Sequence, residues 1–194
     1  MRQEKKVLAC VDKSDYATHV ADYAAWAAAR LSAPIELLHV IDRHPEIAAD
    51  VDRSGSIGVD AQENLLERLS QEEGERSKVI REQGRVFLNQ LRTRCETHTG
   101  LQTDTRQRYG QLLATLKEQE SSVGMYVLGR RGESASHTRR DLGRHVEAIC
   151  RKIRRPIMTV TDDFIAPKSV LVAYDGGRMT RRGIELLASN PNMR

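Results

Sequence analysis

The chain has 194 residues, of which 39% are hydrophobic, 30% charged and 4% aromatic, a balance that predicts a globular, helix-rich protein and excludes a disordered one. The three cysteines are scattered along the chain, which argues against a secreted disulfide framework. The formal net charge is +4. With no run of about 18 apolar residues and no signal-peptide pattern, we expect a cytoplasmic protein that does not cross a membrane.

Apolar runs and helical periodicity predict nine alternating elements. The first is a buried strand at 6–11, after which Asp12, Ser14 and Asp15 offer N-caps for an Ala-rich helix. The remaining elements are strands at 35–41, 101–108, 125–128 and 157–161, and helices at 61–98, 111–120 and 142–152, with a loop at 43–60. The polar strand at 101–108 is typical of a sheet edge. This alternation predicts a mostly parallel sheet with right-handed connections.

An internal repeat follows the last of these strands. Residues 170–175, Val-Leu-Val-Ala-Tyr-Asp, copy residues 7–12, Val-Leu-Ala-Cys-Val-Asp. We therefore expect a second domain to begin at about Lys168 and to comprise one strand and one helix before Arg194. Such a unit cannot bury a core of its own, so we expect the strand at 169–174 to pair with a sheet, either its own or a partner's.

The ends of the first two predicted strands carry groups suited to a ligand. In open parallel sheets, ligands bind beyond the carboxyl ends of the strands, where the winding reverses. Asp12 follows the first strand, where it is either a plain helix N-cap or a ligand contact. Val40, near the end of the second strand, offers a backbone amide and carbonyl that could pair with a planar base.

A glycine-bounded turn, Gly129-Arg130-Arg131-Gly132, follows the strand at 125–128, and Gly143 comes later at a helix start. Glycines let the backbone fold closely around phosphates, and helix N-termini attract anions. Alone, the two glycines after a strand indicate only a turn. Their expected position beside the end of the first strand favours a phosphate cradle.

Four segments of the chain resemble the universal stress protein family. They are Val-Leu-Ala-Cys-Val-Asp-Lys-Ser at 7–14, Leu-His-Val-Ile-Asp at 38–42, Gly-x-x-Gly-x10-Gly at 129–143 and Arg-Pro-Ile-Met-Thr-Val at 155–160. The resemblance divides the chain into a universal stress protein domain at 1–162, a linker at 163–167 and, at 168–194, the truncated start of a second domain, as in the tandem subfamily. It implies an α/β fold, a doubly wound five-stranded parallel sheet of the adenine nucleotide alpha hydrolase-like type, plus an extra C-terminal βα unit.

The resemblance also implies a function. It implies a stress-response regulatory protein that binds ATP or a related adenine nucleotide, with or without Mg²⁺, and that forms a homodimer through the last strand of the sheet. Carried over by position, Asp12 and Val40 hold the adenine and ribose. The phosphates and ribose are then held by Gly129, Arg131, Gly132 and Gly143.

Two positions depart from the family pattern. The family has Ser or Thr after the last glycine of its nucleotide motif, and here the residue is Arg144. This cation either forms a salt bridge with a phosphate or fills the cleft. Lys13 stands where Gly is common in the family. The alternative is therefore a dimeric interaction scaffold of the same fold that binds no nucleotide.

The sequence offers no set of residues for a dedicated enzyme. It contains no Ser-His-Asp arrangement, H-E-x-x-H motif, Walker loop or metal-spaced ligand set, so at most a weak ATPase is expected. His19 and His39 are expected to be packed core residues. The bases from Arg130 to Arg155 attract phosphates, but only Tyr126 lies near them for stacking, so we expect no nucleic-acid partner. A protein partner is expected but has no recognisable signature.

Overall fold

The computed structural model of the protein describes residues 5–41, 59–130, 144–189 and 192, and places the side chains of these residues except at 59–70, 72–73 and 144. The strands are β1 (Lys6–Cys10), β2 (Ile35–Ile41), β3 (Thr103–Tyr109), β4 (Val123–Gly129) and β5 (Ile157–Val160). The helices are α1 (Ala17–Leu31), α2 (Val59–Thr99), α3 (Leu112–Gln119), α4 (Arg144–Lys152) and α5 (Arg178–Ala188). The predicted β-α-β-α-β-α-β-α-β order is confirmed.

The five strands form one parallel sheet with the order β3-β2-β1-β4-β5. The chain winds outward from β1 through β2 to β3, then crosses to the other side of β1 and continues through β4 to β5. This is the doubly wound α/β architecture that the sequence predicts. The polar strand β3 is an edge strand, as its charged face indicates.

Two apolar cores cover the two faces of the sheet. One contains Val7 and Ala9 of β1, packed against the small side chains of α1 and the C-terminal half of α2. The other contains Leu8 of β1, packed against α3 and α4. Because successive side chains of a strand point to opposite faces, a continuous apolar run such as 7–11 fits a strand that is covered on both sides.

Helix α2 approaches the sheet closely at Gly84. A Cβ placed on this residue would lie 2.5 Å from the Gln107 amide nitrogen of β3, so only glycine allows this contact without rearrangement. The other glycine of this helix, Gly74, has no atom within 4 Å of its hypothetical Cβ. Helix α2 runs through both glycines, from Val59 to Thr99.

The predicted N-cap of α1 is wrong. The N-cap residue is Tyr16, and it makes no side-chain capping bond. Asp12 and Ser14 instead hydrogen-bond to each other in a local turn, because the Asp12 carboxylate accepts from both the backbone amide and the hydroxyl of Ser14. Asp12 is therefore held at the end of β1 and does not cap the helix.

In the described part of the extra C-terminal unit there is a helix but no strand. Helix α5 is present, whereas residues 169–174 have no regular secondary structure and belong to no sheet among the described residues. The expected pairing with the chain's own sheet is thus wrong. These residues lie beside Trp26 and Arg30 of α1, where they line an open cavity of about 610 Å³, and not along the free edge of β5. Pairing with a partner's sheet stays a prediction.

No helix in the described part of the chain is both long enough and apolar enough to cross a membrane.

Candidate functional site

The winding of the sheet reverses between β1 and β4. These strands are parallel neighbours, with Cys10 of β1 opposite Leu128 of β4. The connection after β1 leads to β2 on one side, and the connection after β4 leads to β5 on the other. The loops therefore diverge and leave a crevice at the carboxyl ends of the two strands. Asp12 and Gly129 stand at this edge, one after each strand.

Asp12 presents a half-buried carboxylate at this edge. Its Oδ1 accepts a hydrogen bond of 3.1 Å from the Ser14 amide and a second from the Ser14 hydroxyl. These two local bonds fix the direction of the carboxylate without burying it. The group is suited to accept hydrogen bonds from the hydroxyls of a ligand in the crevice.

Val40 lies beyond the last ladder bond between β2 and β1. The Val11 amide donates to the Leu38 carbonyl at 2.9 Å, and the described pairing of these strands ends at Cys10 and Leu38. Backbone groups of alternate residues in a strand face the same neighbour. Those of Val40, like those of Leu38, therefore face the side of β1 and the crevice.

The His39 ring stands at the point where the ladder stops. Its Nδ1 lies 2.9 Å from the Val11 carbonyl oxygen, which is the acceptor that the next ladder bond from Val40 would use. The ring is buried and packs edge-on against Phe87 at 5.6 Å. The expectation that His39 is a packed core residue is confirmed. Its contact with Val11 was not predicted, and no motif in the sequence signals it.

Gly129 ends β4 beside β5. The amide of the following residue, Arg130, donates to the Val160 carbonyl at 2.7 Å, so the backbone here is held in the direction of the strand. Gly129 is opposite Val160 in the register of the two strands. The glycine turn thus begins at the same edge as Asp12, which is the geometry on which the phosphate-cradle prediction depends.

Four residues that were predicted to contact the nucleotide lie wholly or partly outside the described part of the chain. Arg131, Gly132 and Gly143 fall outside the described residues. Arg144 is the first residue of α4, and its side chain is not described. In a right-handed β4–α4–β5 connection, the N-terminus of the helix lies toward the carboxyl end of the preceding strand. Only the helix start at Arg144 can thus be assigned to this edge.

Lys13 links the loop after β1 to α2. Its Nζ donates to Gln83 Oε1 at 3.2 Å. The sequence shows Lys13 only as a departure from the family pattern, and the contact with a residue 70 positions away was not predicted. The Lys13 side chain therefore connects the loop at the edge of the crevice to α2.

The thiol and phenol nearest the sheet are unsuited to nucleophilic chemistry. Burial, reinforced by the charges of Asp12 and Glu36, raises the pKa of the Cys10 thiol above its ordinary value. Burial likewise raises the pKa of Tyr126, whose hydroxyl donates to the Leu116 carbonyl at 2.8 Å. Both groups stay protonated at neutral pH. Among the described residues, no group of three or more His, Cys, Asp or Glu side chains could hold a metal ion.

The prediction for His19 is wrong. The ring is half-buried on α1 and belongs to neither core, and its Nε2 is 3.2 Å from Asp163 Oδ1. The two residues line an open pocket of about 410 Å³ with Asp15 and Tyr16. Alanine-rich surroundings in the sequence indicated a buried face, but position 19 lies at its border, where the segment after β5 crosses α1.

Comparisons with known proteins identify the family. The sequence model of the universal stress protein family matches residues 4–161. The chain is 30% identical over 187 residues to universal stress protein Slr1230 of Synechocystis sp. (strain PCC 6803). The match covers 96% of this chain and 65% of that protein, so the chain spans less than two thirds of the relative's length.

Solved structures share the fold. The hypothetical protein MJ0577, solved for a structure-based assignment of its biochemical function, has a TM-score of 0.56 at 18% identity, covering 84% of this chain and 99% of that one. A universal stress protein solved in complex with cAMP has a TM-score of 0.51 at 16% identity, covering 82% and 98%. Fold, edge geometry and the extent of the family match agree, and the chain belongs to the universal stress protein family.

Proposed function

We propose that the crevice between β1 and β4 binds an adenine nucleotide, and that the protein acts as a stress-response regulator and not as a dedicated enzyme. One observation supports this most: the Asp12 carboxylate, the backbone of Val40 and the start of the glycine turn at Gly129 lie at the edge where the winding reverses. The three residues offer, in order, a carboxylate, a backbone amide and carbonyl, and a glycine backbone that a ligand can approach closely. An adenine nucleotide has a complementary group for each.

Each end of the nucleotide has its own set of residues in this proposal. The outward-facing amide and carbonyl of Val40 match the alternating acceptor and donor on the edge of adenine. The Asp12 carboxylate accepts from ribose hydroxyls. The phosphates are assigned to the turn that begins at Gly129 and to the start of α4, a combination that suits anions. The residues proposed there are Arg131, Gly132, Gly143 and Arg144.

The ligand class has support from a relative of the same fold. The universal stress protein solved with cAMP holds an adenine nucleotide. We propose ATP as the physiological ligand, because the glycine turn and the basic residues after it provide for more than one phosphate. When bound, Mg²⁺ would neutralise part of the phosphate charge. It would need ligands from the nucleotide and water, because the described residues offer no cluster of protein ligands.

Asp12→Asn tests the proposal directly. Asparagine keeps an acceptor for the Ser14 turn but removes the charge that favours the ribose hydroxyls, so we expect affinity for ATP to fall at least tenfold, about 1.4 kcal/mol. Isothermal titration calorimetry with ATP, AMP and cAMP measures this. The matched control is Asp175→Asn at the corresponding position of the repeat, which should leave binding unchanged. Equal affinities of both variants and the parent would contradict the proposed site.

Arg144 carries the second candidate, a dimeric scaffold that binds no nucleotide. If the cation fills the cleft, millimolar ATP leaves the melting temperature of the parent unchanged, whereas Arg144→Ser gains a ligand-dependent rise. We favour binding in the parent, since an Arg at a helix start can also pair with phosphate.

Assembly and location are part of the proposal. We propose a cytoplasmic homodimer in which β5 contributes its free edge, because an edge strand offers backbone groups to a second chain. We also propose that residues 168–194 are the start of a second domain of the same kind, on the strength of the repeat.

A further inference from the structure

Helix α2 is far longer than the strands of the sheet that it packs against. Its 41 residues span about 60 Å, whereas a seven-residue strand such as β2 spans about 23 Å. Gly84 is the first buried residue in its described part, and the residues that reach the core, Leu88, Leu91 and Cys95, all follow it. The described side chains from 71 to 83 are exposed or half-buried and belong to neither core. The described side chains of this stretch therefore lie outside both cores of the described part of the chain.

The two halves of α2 carry opposite charge. Residues 59–75 contain six acids and one base, and residues 76–99 contain six bases and two acids. The sign changes between Glu75 and Arg76. The acids of the first half are Asp60, Glu63, Glu67, Glu72, Glu73 and Glu75, and the bases of the second are Arg76, Lys78, Arg81, Arg85, Arg92 and Arg94.

Interactions within the helix do not account for this separation. The ion pairs Lys78–Glu75 and Arg85–Glu82 span three positions each. Asp60 and Glu63 have no base within four positions, which is the reach of such pairs. The helix dipole favours acids at the N-terminus, but only over the first turn. A block of like charge some four turns long therefore points to an external partner of opposite charge.

Two exposed valines one heptad apart accompany the charges. Val79 and Val86 are 54% and 46% exposed and occupy the same heptad position, on the side of α2 opposite Leu88. The same heptad position falls on Leu65 two heptads before Val79. Leu65 and Val86 are equally distant from the Glu75–Arg76 boundary. A two-fold axis at that boundary thus brings Leu65 of one helix opposite Val86 of another.

We propose that α2 pairs antiparallel with α2 of a second copy of this chain, with the two-fold axis at Glu75–Arg76. In this arrangement the acidic half of each helix lies along the basic half of the other, and the apolar positions Leu65 and Val86 meet twice. A contact of this kind is self-complementary, as a two-fold interface requires. It is separate from the edge of β5 and does not depend on nucleotide.

Cysteine cross-linking on the full chain tests the pairing. In a Cys150→Ser background, which removes the exposed native thiol, Arg76→Cys and Gln90→Cys place single cysteines on the same face of α2. Antiparallel pairing brings residue 76 within one helical position of its symmetry mate but separates the two copies of residue 90 by about 40 Å along the axis. A disulfide needs the two Cα atoms within about 7 Å. We therefore expect oxidation to form covalent dimer at least tenfold faster for Arg76→Cys, as seen on non-reducing gels.

Every other pattern overturns the proposal. Equal cross-linking at both positions indicates parallel or nonspecific contact, and cross-linking at neither position indicates that α2 does not pair. Circular dichroism of both variants checks that α2 is helical to the same extent. A dimer formed through β5 alone gives cross-linking at neither position, so the experiment distinguishes the β5 interface from the α2 interface.

Charge variants supply an independent readout. Adding Glu72→Lys, Glu73→Lys and Glu75→Lys to the Arg76→Cys chain makes both halves basic, and cross-linking should slow at least tenfold. Adding Lys78→Glu, Arg81→Glu and Arg85→Glu to that chain as well reverses both halves, so complementarity between copies returns and cross-linking should recover. If the charges acted only within each helix, the chain with both sets of substitutions would cross-link more slowly than the Arg76→Cys chain and the chain with the three lysines.

Discussion

The N-terminal β1–α1 unit and its repeat in the C-terminal segment share a sequence pattern but differ in burial and in strand pairing. Leu8 of β1 is fully buried, whereas Leu171, its counterpart in the repeat, is 99% exposed. Helix α1 buries one whole face, and α5 has no buried residue. The apolar run that forms a strand in one place belongs to no described sheet in the other.

Local structure survives in both copies. Asp12 accepts hydrogen bonds from Ser14, and in the repeat Asp175 accepts from the Gly177 amide at 2.8 Å and the Thr180 hydroxyl at 2.6 Å. The Thr180 hydroxyl and the Gly177 amide also hold the pKa of Asp175 below its ordinary value. The comparison separates two kinds of information: a turn is specified by residues within a few positions, but a strand needs neighbours that supply hydrogen bonds and burial.

The largest effect is expected at the matched leucines. Leu8→Ala removes a fully buried side chain from the core that α3 and α4 cover, and should lower the free energy of unfolding by about 2–5 kcal/mol. Leu171→Ala removes an exposed side chain and should change it by less than about 0.5 kcal/mol. Urea denaturation of both variants measures the difference. A loss of similar size at Leu171 would mean that the repeat is covered in solution.

A smaller effect is expected at the matched acids of the two helices. The buried Asp22 of α1 accepts two bonds from Arg94 of α2, at 2.7 and 2.8 Å. Asp22→Asn should cost about 2 kcal/mol, below the value for a fully buried pair because the Arg94 side chain is 44% exposed. Glu185→Gln, the corresponding change in α5, should cost close to nothing. Comparable midpoints of urea unfolding for the two variants would show that the Asp22–Arg94 ion pair between α1 and α2 does not stabilise the fold.

The smallest effect concerns thiol reactivity. Cys10 is packed against the core and its pKa is raised by burial, whereas its counterpart Ala173 is exposed. In the Cys150→Ser background, Ala173→Cys should react with Ellman's reagent at pH 8 at least tenfold faster than Cys10, because the thiolate is the reactive form. A slow, single-rate reaction of all thiols would show that position 173 is protected. The Cys150→Ser parent alone supplies the baseline.

Much of the fold could be predicted because its central strands are short, buried and bounded by clear signals. The strand after Pro34 was predicted at its observed bounds, 35–41. Strand β4 starts two residues earlier than expected, at Val123, because Val123 pairs with Lys6 of β1 and the register then shifts at Gly124, a residue that disfavours a strand by itself. The strand at 169–174 was mispredicted for the opposite reason, since its residues favour a strand that no neighbour supports.

The candidate site could be predicted as an edge but not as a set of contacts. Asp12 and the start of the glycine turn fall together because both follow parallel strands, which the winding brings side by side. The contacts of Lys13 with Gln83 and of His39 with Val11 join residues distant in sequence, and no local pattern encodes them. The N-cap at Tyr16 could not be predicted from local sequence either. Three residues of the types preferred at N-caps precede it, and the helix begins only after all of them.

The His39 contact has a consequence for the chemistry of the crevice. A carbonyl oxygen can only accept, so the bond to Val11 requires the imidazole to carry hydrogen on Nδ1. The ring thereby bonds to the same acceptor that the next ladder bond, from the Val40 amide, would use. The imidazole thus stands where the described β1–β2 ladder ends, next to the Val40 main chain that the proposed nucleotide site uses.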